Sequence, residues 1–504
     1  MTLKVFDVCT TLRASARRRS GMRSRLTLAV AFFAASLAVF GPVRAQAETL
    51  ADTLVAAYRN SNLLEQNRAL LRASDEDVVQ ARAALLPVIR FITGAQANQR
   101  RIETRVGGLG TVVDTTSSRE LNFQLAAEMP LIDFGRGQLG VQVAREQVLS
   151  ARAGLIAVEQ GVLLRAVQSY LNVVSSRDTV ALRRNNVELI RQELRAARER
   201  FELGDSTRTD VAIAEARLAA AQSALSAAEG NFNVAREDFN LAVGRYPGAL
   251  TAAPRLPTLP ASLQAALDSG RRNHPAIIQA QHQVTTADLL VQRAQTQRMG
   301  TVTGSISAGA VAAPGSTSSN LTASVNWGVP IYSGGALASG QRQAIAQQDA
   351  QRSNLHHTVA QVNQAVAENW AQLAVSRAQL AASDTQISAA TTAYEAVRAE
   401  AEFGSRTTLD VLNAEQELLD ARSNRIMASA SVQLASYALL EAMGQLTVEA
   451  LNLGIPTYDV EAYSAGFTRW GGYVSDPATR AAPSEQGQRL DRIMNRAPAS
   501  RQTP

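Results

Sequence analysis

Two aspartates are placed where a carboxylate could act. Asp210 and Asp410 each follow a glycine by six residues, in GDSTRTDVAIAE (Gly204–Glu215) and GSRTTLDVLNAE (Gly404–Glu415). An acid in the first turn of a helix is favoured by the helix dipole. Carboxylates repeated around an axis attract cations and repel anions at close quarters. Catalysis fits less well. The histidines are His274, His282, His356 and His357, and none has a metal-ligand spacing to a carboxylate or thiol. His356 and His357 are adjacent, so on a helix they point to different faces. The serines and aspartates form no nucleophile elbow. No catalytic residue, cofactor or metal site is expected, and the chemistry on offer is electrostatic.

What must position these aspartates is written twice. The offset of 200 holds upstream, where MPLIDFG (Met129–Gly135) answers VPIYSGG (Val329–Gly335), pairing Pro130 with Pro330 and Gly135 with Gly335. Gly140 pairs with Gly340 and Gly244 with Gly444, so the register never slips and the chain is a duplication. After each glycine turn the heptads are regular. Val211, Leu218, Leu225, Phe232 and Phe239 form one column, and Ala214, Ala221, Ala228, Ala235 and Ala242 the other. The second copy repeats the alanine column from Ala414 to Ala442, while Arg425 interrupts the large one. Large residues facing alanine describe a coiled coil with closely approaching backbones. Before each turn runs a proline-free stretch, 136–203 and 336–403, long enough for a helix of about 100 Å. Each copy is therefore expected to be a long helical hairpin that turns at Gly204 or Gly404, with Thr209 or Thr408 capping the returning helix.

The other end of each hairpin alternates with a period of two. FITGAQANQ, LNFQLAAEM, TVTGSISAG and LTASVNWGV lie between 90 and 130 and between 301 and 330, separated by turn-like VGGLG and APGSTSSN. Segments of about ten residues with weak alternation predict membrane-spanning β-strands. Such strands must close into a barrel, because lipid satisfies no backbone group. Four strands are too few to close, so several chains must share one barrel.

The chain begins with a basic stretch (Arg17, Arg18, Arg19, Arg23, Arg25), a 15-residue apolar run from Leu26 to Phe40, and Ala45-Gln46-Ala47. This is the pattern of a secretory signal peptide over 1–47, with Met22 as an alternative start. Eight of the 50 basic residues and one of the 44 acids lie in it, leaving 42 and 43. The formal charge of +6 thus belongs to the leader, and nothing calls for a nucleic-acid partner. The single cysteine, Cys9, lies there too. The expected domains are the signal peptide, a first repeat over 48–244, a second over 245–455, and a C-terminal segment over 456–504, disordered after about 477 where Ala, Pro, Arg and Gln dominate.

Together the exported chain, the duplicated strand-pair-plus-helix unit, the Pro-x4-Gly strand exits and the paired Gly-x5-Asp-Val turns resemble the TolC-type outer-membrane efflux proteins over about 48–470. The resemblance implies a mainly α fold with a β membrane portion: a homotrimer whose four strands per chain form a 12-stranded barrel in outer-membrane lipid, continued by a long coiled-coil α-barrel across the periplasm. It implies partners as well, namely a periplasmic adaptor and an inner-membrane transporter of the ABC or RND type. The glycine turns become the periplasmic tips. Asp410 and Asn413 become the entrance ring, and Arg406 with Asp210 and Thr209 the closed-state latch. Leu203, Gly204, Asp205, Phe403, Gly404 and Ser405 become adaptor contacts, with Pro130, Gly135, Pro330 and Gly335 marking the strand-to-helix boundaries. Two departures, Asn413 in place of a second acid and Ala401 in place of a latch tyrosine, imply weaker cation selectivity and a looser latch. TYDVEAYSAGFTRWGG (Thr457–Gly472) is similar to a segment of members serving type I protein secretion. Exit duct for drug or metal efflux is the alternative, and a periplasmic coiled-coil scaffold the remote one.

Overall fold

The computed structural model describes residues 48–108, 110–204, 207–251, 256–460 and 463. The expected signal peptide, Asp205, Trp470 and the tail beyond 477 lie outside them. In chain order the elements are α1 (Leu50–Asn60), α2 (Asn62–Ala83), β1 (Val88–Val106), β2 (Gly110–Ile132), α3 (Arg136–Leu203) and α4 (Arg208–Val243). Then follow α5 (Leu263–Asn273), α6 (Pro275–Thr296), β3 (Thr301–Ala313), β4 (Ser316–Gly328), α7 (Ala336–Glu402) and α8 (Thr408–Ala442). Both halves carry the same series: two short helices, a strand pair, a long helix and a returning helix.

The long helices α3 and α7 have 68 and 67 residues, about 100 Å each. Proline interrupts neither. Each begins after a glycine held at positive φ, Gly135 (84°) and Gly335 (86°), a conformation that costs other residues more. In the returning helices the alanine column is the buried one: Ala214, Ala221, Ala228 and Ala235 in α4, and Ala421, Ala428, Ala435 and Ala442 in α8. The two helices differ in what else they bury. In α4 the large column is only half-buried until Phe239. In α8 Val411, Leu418, Val432 and Leu439 are buried, and so are Leu412, Leu419 and Leu440, because α8 packs on α3 of the first hairpin as well as on α7. Arg425, the break in the column, points outward and pairs with Asp384 of α7 at 2.6 Å.

The four strands form one antiparallel sheet in the order β1-β2-β3-β4. Its register sorts the residues onto two faces. Phe91 pairs with Leu125, Leu125 with Ala308 and Ala308 with Leu321. Period-two alternation carries Ile89, Leu121, Phe123, Ile306, Ala310, Val325 and Trp327 onto the same face. The opposite face carries Gln124, Asn122, Ser305, Ser307, Thr322, Ser324 and Asn326. The apolar band is about seven residues tall on each strand, roughly 23 Å along it, the dimension of a lipid-facing barrel wall. Trp327 stands at one rim of the band, 68 % exposed, as an interfacial aromatic does.

The first strand pair is longer than the expected ten residues, at 19 and 23. The stretch beyond Gln96 and Glu120 pairs only within its own hairpin, since β3 meets β2 from Leu121 onward. There polar residues predominate on both faces, with Arg101, Glu103, Arg119 and Thr115 where the apolar band would continue and Ile102, Val112 and Val113 as scattered exceptions. A ladder that has left the membrane can solvate its edges, so length is no longer set by bilayer thickness. Pro130 is also not a strand end. It pairs with Thr303, and β2 runs on to Ile132 through a register shift, whereas Pro330 does follow the end of β4.

Between the sheet and the tips the short helices wrap the long ones. Leu54, Tyr58 and Leu64 from α1 and α2 pack with Tyr170, Phe239 and Val243, while Ala266 and Ile277 from α5 and α6 pack with Val366, Leu439 and Met443. The C-terminal stretch closes over this girdle. Arg68 lies between the rings of Tyr58 and Tyr458, 5.0 and 5.2 Å from their centroids. Arg152 donates to the Val460 carbonyl, and the Tyr463 hydroxyl donates to Glu76 at 2.7 Å. No described helix is long and apolar enough to cross a membrane.

Candidate functional site at the hairpin tips

Each tip is built by a glycine stop and a capping box. α3 ends at Gly204 (φ 85°), whose N–H donates to the Phe201 carbonyl. α7 ends with the Gly404 N–H on Ala401 O and the Ser405 N–H on Glu400 O, a 6→1 closure. The returning helices are capped by Thr207 and Thr407, not by Thr209 and Thr408. A capping box places its acid three residues after the cap, so Asp210 and Asp410 fix the cap at 207 and 407. Thr209 and Thr408 fall inside the first turn. In both copies the aspartate Oδ2 accepts from the threonine N–H (3.0 Å) and hydroxyl (2.7 and 2.8 Å), and its own N–H donates to the threonine Oγ1 at 3.2 Å.

These bonds favour the charged form of Asp410. Its carboxyl is held below the usual range by the Thr407 backbone N–H and hydroxyl, with the Arg406 charge adding to them. A carboxylate at this tip thus stays ionised even in mild acid. Two of the residues assigned to a latch, Arg406 and Asp210, make contacts within their own hairpins. Arg406 donates Nε to Glu400 at 2.8 Å, and Asp210 belongs to the Thr207 cap. The contact to Glu400 uses the Arg406 Nε–H, and a guanidinium carries further N–H donors.

Asn413 helps join the two hairpins at this level, accepting at 3.0 Å from Arg217 on α4, beside the packing of Leu412 with Leu194 and Ala214. Sequence reasoning passed over Arg217, although the repeat marks it, since position 417 in the second copy is a glutamate. Sequence reasoning also passed over Glu415. Its repeat partner Glu215 is exposed and paired with Arg198, while Glu415 is buried against Asn186 of α3. At the apices Leu203 and Phe403 are 78 % and 88 % exposed, two apolar side chains presented at corresponding places. Among the described residues no group of histidine, cysteine, aspartate or glutamate is arranged to hold a metal ion.

A one-faced apolar β-sheet with two unpaired edges, continued by helical hairpins about 100 Å long, defines an outer-membrane channel subunit. The family model described as outer membrane efflux protein matches residues 53–245 and 266–445, and the chain belongs to that family of channel proteins. It is 34 % identical over 433 residues to the outer membrane efflux protein BepC of Brucella suis, covering 85 % of this chain and 92 % of BepC. It is 25 % identical over 416 residues to the outer membrane protein TolC of Vibrio cholerae, covering 80 % and 92 %. It is 26 % identical over 403 residues to the alkaline protease secretion protein AprF of Pseudomonas aeruginosa, covering 77 % and 80 %. Among solved structures, the outer membrane protein VceC of Vibrio cholerae superposes with a TM-score of 0.64 at 19 % identity, over 78 % of this chain and 96 % of that one. The expected family, fold and outer-membrane location therefore stand.

Proposed function

We propose that the protein is the exit duct of a type I secretion system. Three copies share a 12-stranded barrel, and their tips meet a periplasmic adaptor that joins them to an ATP-driven inner-membrane transporter. The observation that carries this reading is the C-terminal stretch, whose Tyr458, Val460 and Tyr463 are fastened onto Tyr58, Arg68, Arg152 and Glu76 of the helical girdle. That stretch is similar to a segment of members serving type I protein secretion, and AprF is by name a secretion protein. In this reading Asp410 and Asn413 ring the entrance, and Arg406 exchanges Glu400 for Asp210 and Thr209 of the first-copy turn when the tunnel closes. Leu203 and Phe403 then seat the adaptor. Efflux of small compounds is the second reading, favoured by the 34 % identity to a protein named for efflux.

Deletion of the gene followed by mass spectrometry of the culture supernatant separates the two. Loss of one or a few large secreted proteins with drug tolerance intact is the expected result. An unchanged supernatant with new sensitivity to small toxic compounds would transfer the duct to efflux.

A further inference from the structure

Just behind the tip, Glu415 leaves α8 where the two hairpins meet. It is 6 % exposed, and its Oε1 accepts from Asn186 Nδ2 of α3 at 2.7 Å. The second carboxylate oxygen, Oε2, is buried with no protein partner. The group borders a cavity of about 180 Å³ whose apolar wall is Leu182, Leu189, Leu418 and Leu419 and whose polar lining includes Asn185, Thr391 and Arg422. A buried carboxylate with one satisfied oxygen is comfortable only when the other carries a proton or is hydrated.

The charges facing it do not neutralise it. Glu193 faces it from α3, Glu395 and Arg398 come from α7, and Arg422 lies two turns along α8. The charged α4 side chain that reaches α8 is Arg217, which is engaged on Asn413. Burial pushes the Glu415 carboxyl up to about 7; the Asn186 hydrogen bond pulls the other way, and the Glu193 charge adds to the rise. The first-copy equivalent, Glu215, is exposed on Arg198 and has no such environment. Of the two equivalent positions, the acid is buried in α8, the returning helix that packs on α3 as well as on its own partner α7.

We propose that the Asn186–Glu415 contact is a proton-operated brace between the hairpins: protonated, it holds α8 against α3, and ionised, it releases α8 so that the tunnel entrance widens. The proton passes to water in the adjoining cavity. The negative charge left behind faces Glu193 and four leucines, and separating α3 from α8 is the movement that hydrates it. This rests on the reading of the tips as an entrance, and the separation itself is a property of the helices alone.

Two readouts on the purified full chain keep those statements apart. Spin labels at Gln192 and Asp420, both exposed on α3 and α8, report the helix separation by double electron–electron resonance. Planar-bilayer recordings report conductance. Between about pH 5.5 and about pH 8 the wild-type separation should lengthen and the open population rise about tenfold. Glu415→Gln, which keeps the acceptor for Asn186 and cannot ionise, should remove both changes and stay in the low-pH state. His282→Gln serves as control, because His282 pairs with Glu146 at 2.8 Å in another contact between helices, α6 and α3; its steps should persist. A pH step that survives in Glu415→Gln, or that vanishes in His282→Gln, overturns the brace. A separation that depends on Glu415 with no conductance change would keep the brace and sink the entrance reading.

Discussion

At the scale of single residues, the repeat makes Asp210 and Asp410 chemically equivalent, and their caps are alike to within a tenth of an ångström. What distinguishes them is which helix they start. α8 packs on both hairpins and α4 mainly on its own. Asp410, at the start of α8, is the carboxylate that the proposed entrance ring uses. Asp410→Ala should raise conductance at low divalent concentration or weaken divalent block in planar bilayers, and an unchanged response would remove Asp410 from the mouth. Because Thr407 lowers the carboxyl's proton affinity, block by divalents should persist below the pH at which an ordinary aspartate would lose it. Glu415 responds with the opposite sign. Its packed-state value of about 7 exceeds the 4.5 of an ordinary glutamate, so the packed state binds the proton more tightly than an opened one. The contribution to packing is complete below about pH 4.5, falls as pH rises, and is lost above 7. Glu415→Gln should thus slow hydrogen exchange in α8 at pH 8 and leave it unchanged at pH 4.

At the scale of elements, the sequence is most legible where the period is strict. The helix starts at 136 and 336, the glycine stops at 204 and 404 and the alanine seams all lie where spacing places them. Caps and strand lengths were less legible, for separate reasons. Each tip has more than one threonine near its aspartate, and only the reciprocal three-residue geometry selects Thr207 and Thr407. Strand length is bounded only inside lipid, so the polar end of the first hairpin carries no period-two signal to mark where it stops. Glu415 and Arg217 were hidden because their partners, Asn186 and Asn413, are 229 and 196 residues away. The cap assignment is itself testable. Thr407→Ala should cost about 1 kcal/mol of local helix stability, read as amide exchange at Asp410 and Val411 faster by about fivefold. Thr408→Ala should leave that exchange alone; equal effects would return the cap to 408. Phe403→Asp and Leu203→Asp should each weaken cross-linking to the adaptor without changing trimer yield, since both side chains stand free of the hairpin core.

At the scale of the whole molecule, the sheet sets the strongest constraint. β1 and β4 are its edges, and every N–H and C=O they leave unpaired must find a strand from another copy before the apolar face can enter lipid. Assembly and membrane insertion are therefore coupled, and one residue on the right face should break both. Thr322 and Ala323 are neighbours in the middle of β4, paired with Ser307 and Ile306 and facing opposite ways. Ala323→Arg puts a guanidinium into the band formed by Ile306, Leu321 and Val325, at a cost of roughly 2–4 kcal/mol per chain near the bilayer midplane. In a closed assembly the penalty recurs in every copy, so the heat-modifiable oligomer should disappear from outer-membrane fractions. Thr322→Arg points into the polar face, where a charge stays hydrated. The oligomer should form in normal amounts, with ion selectivity shifted toward anions by the added positive ring. If both variants assembled equally well, the face carrying Phe91, Phe123, Leu125 and Trp327 would not be the one in contact with lipid.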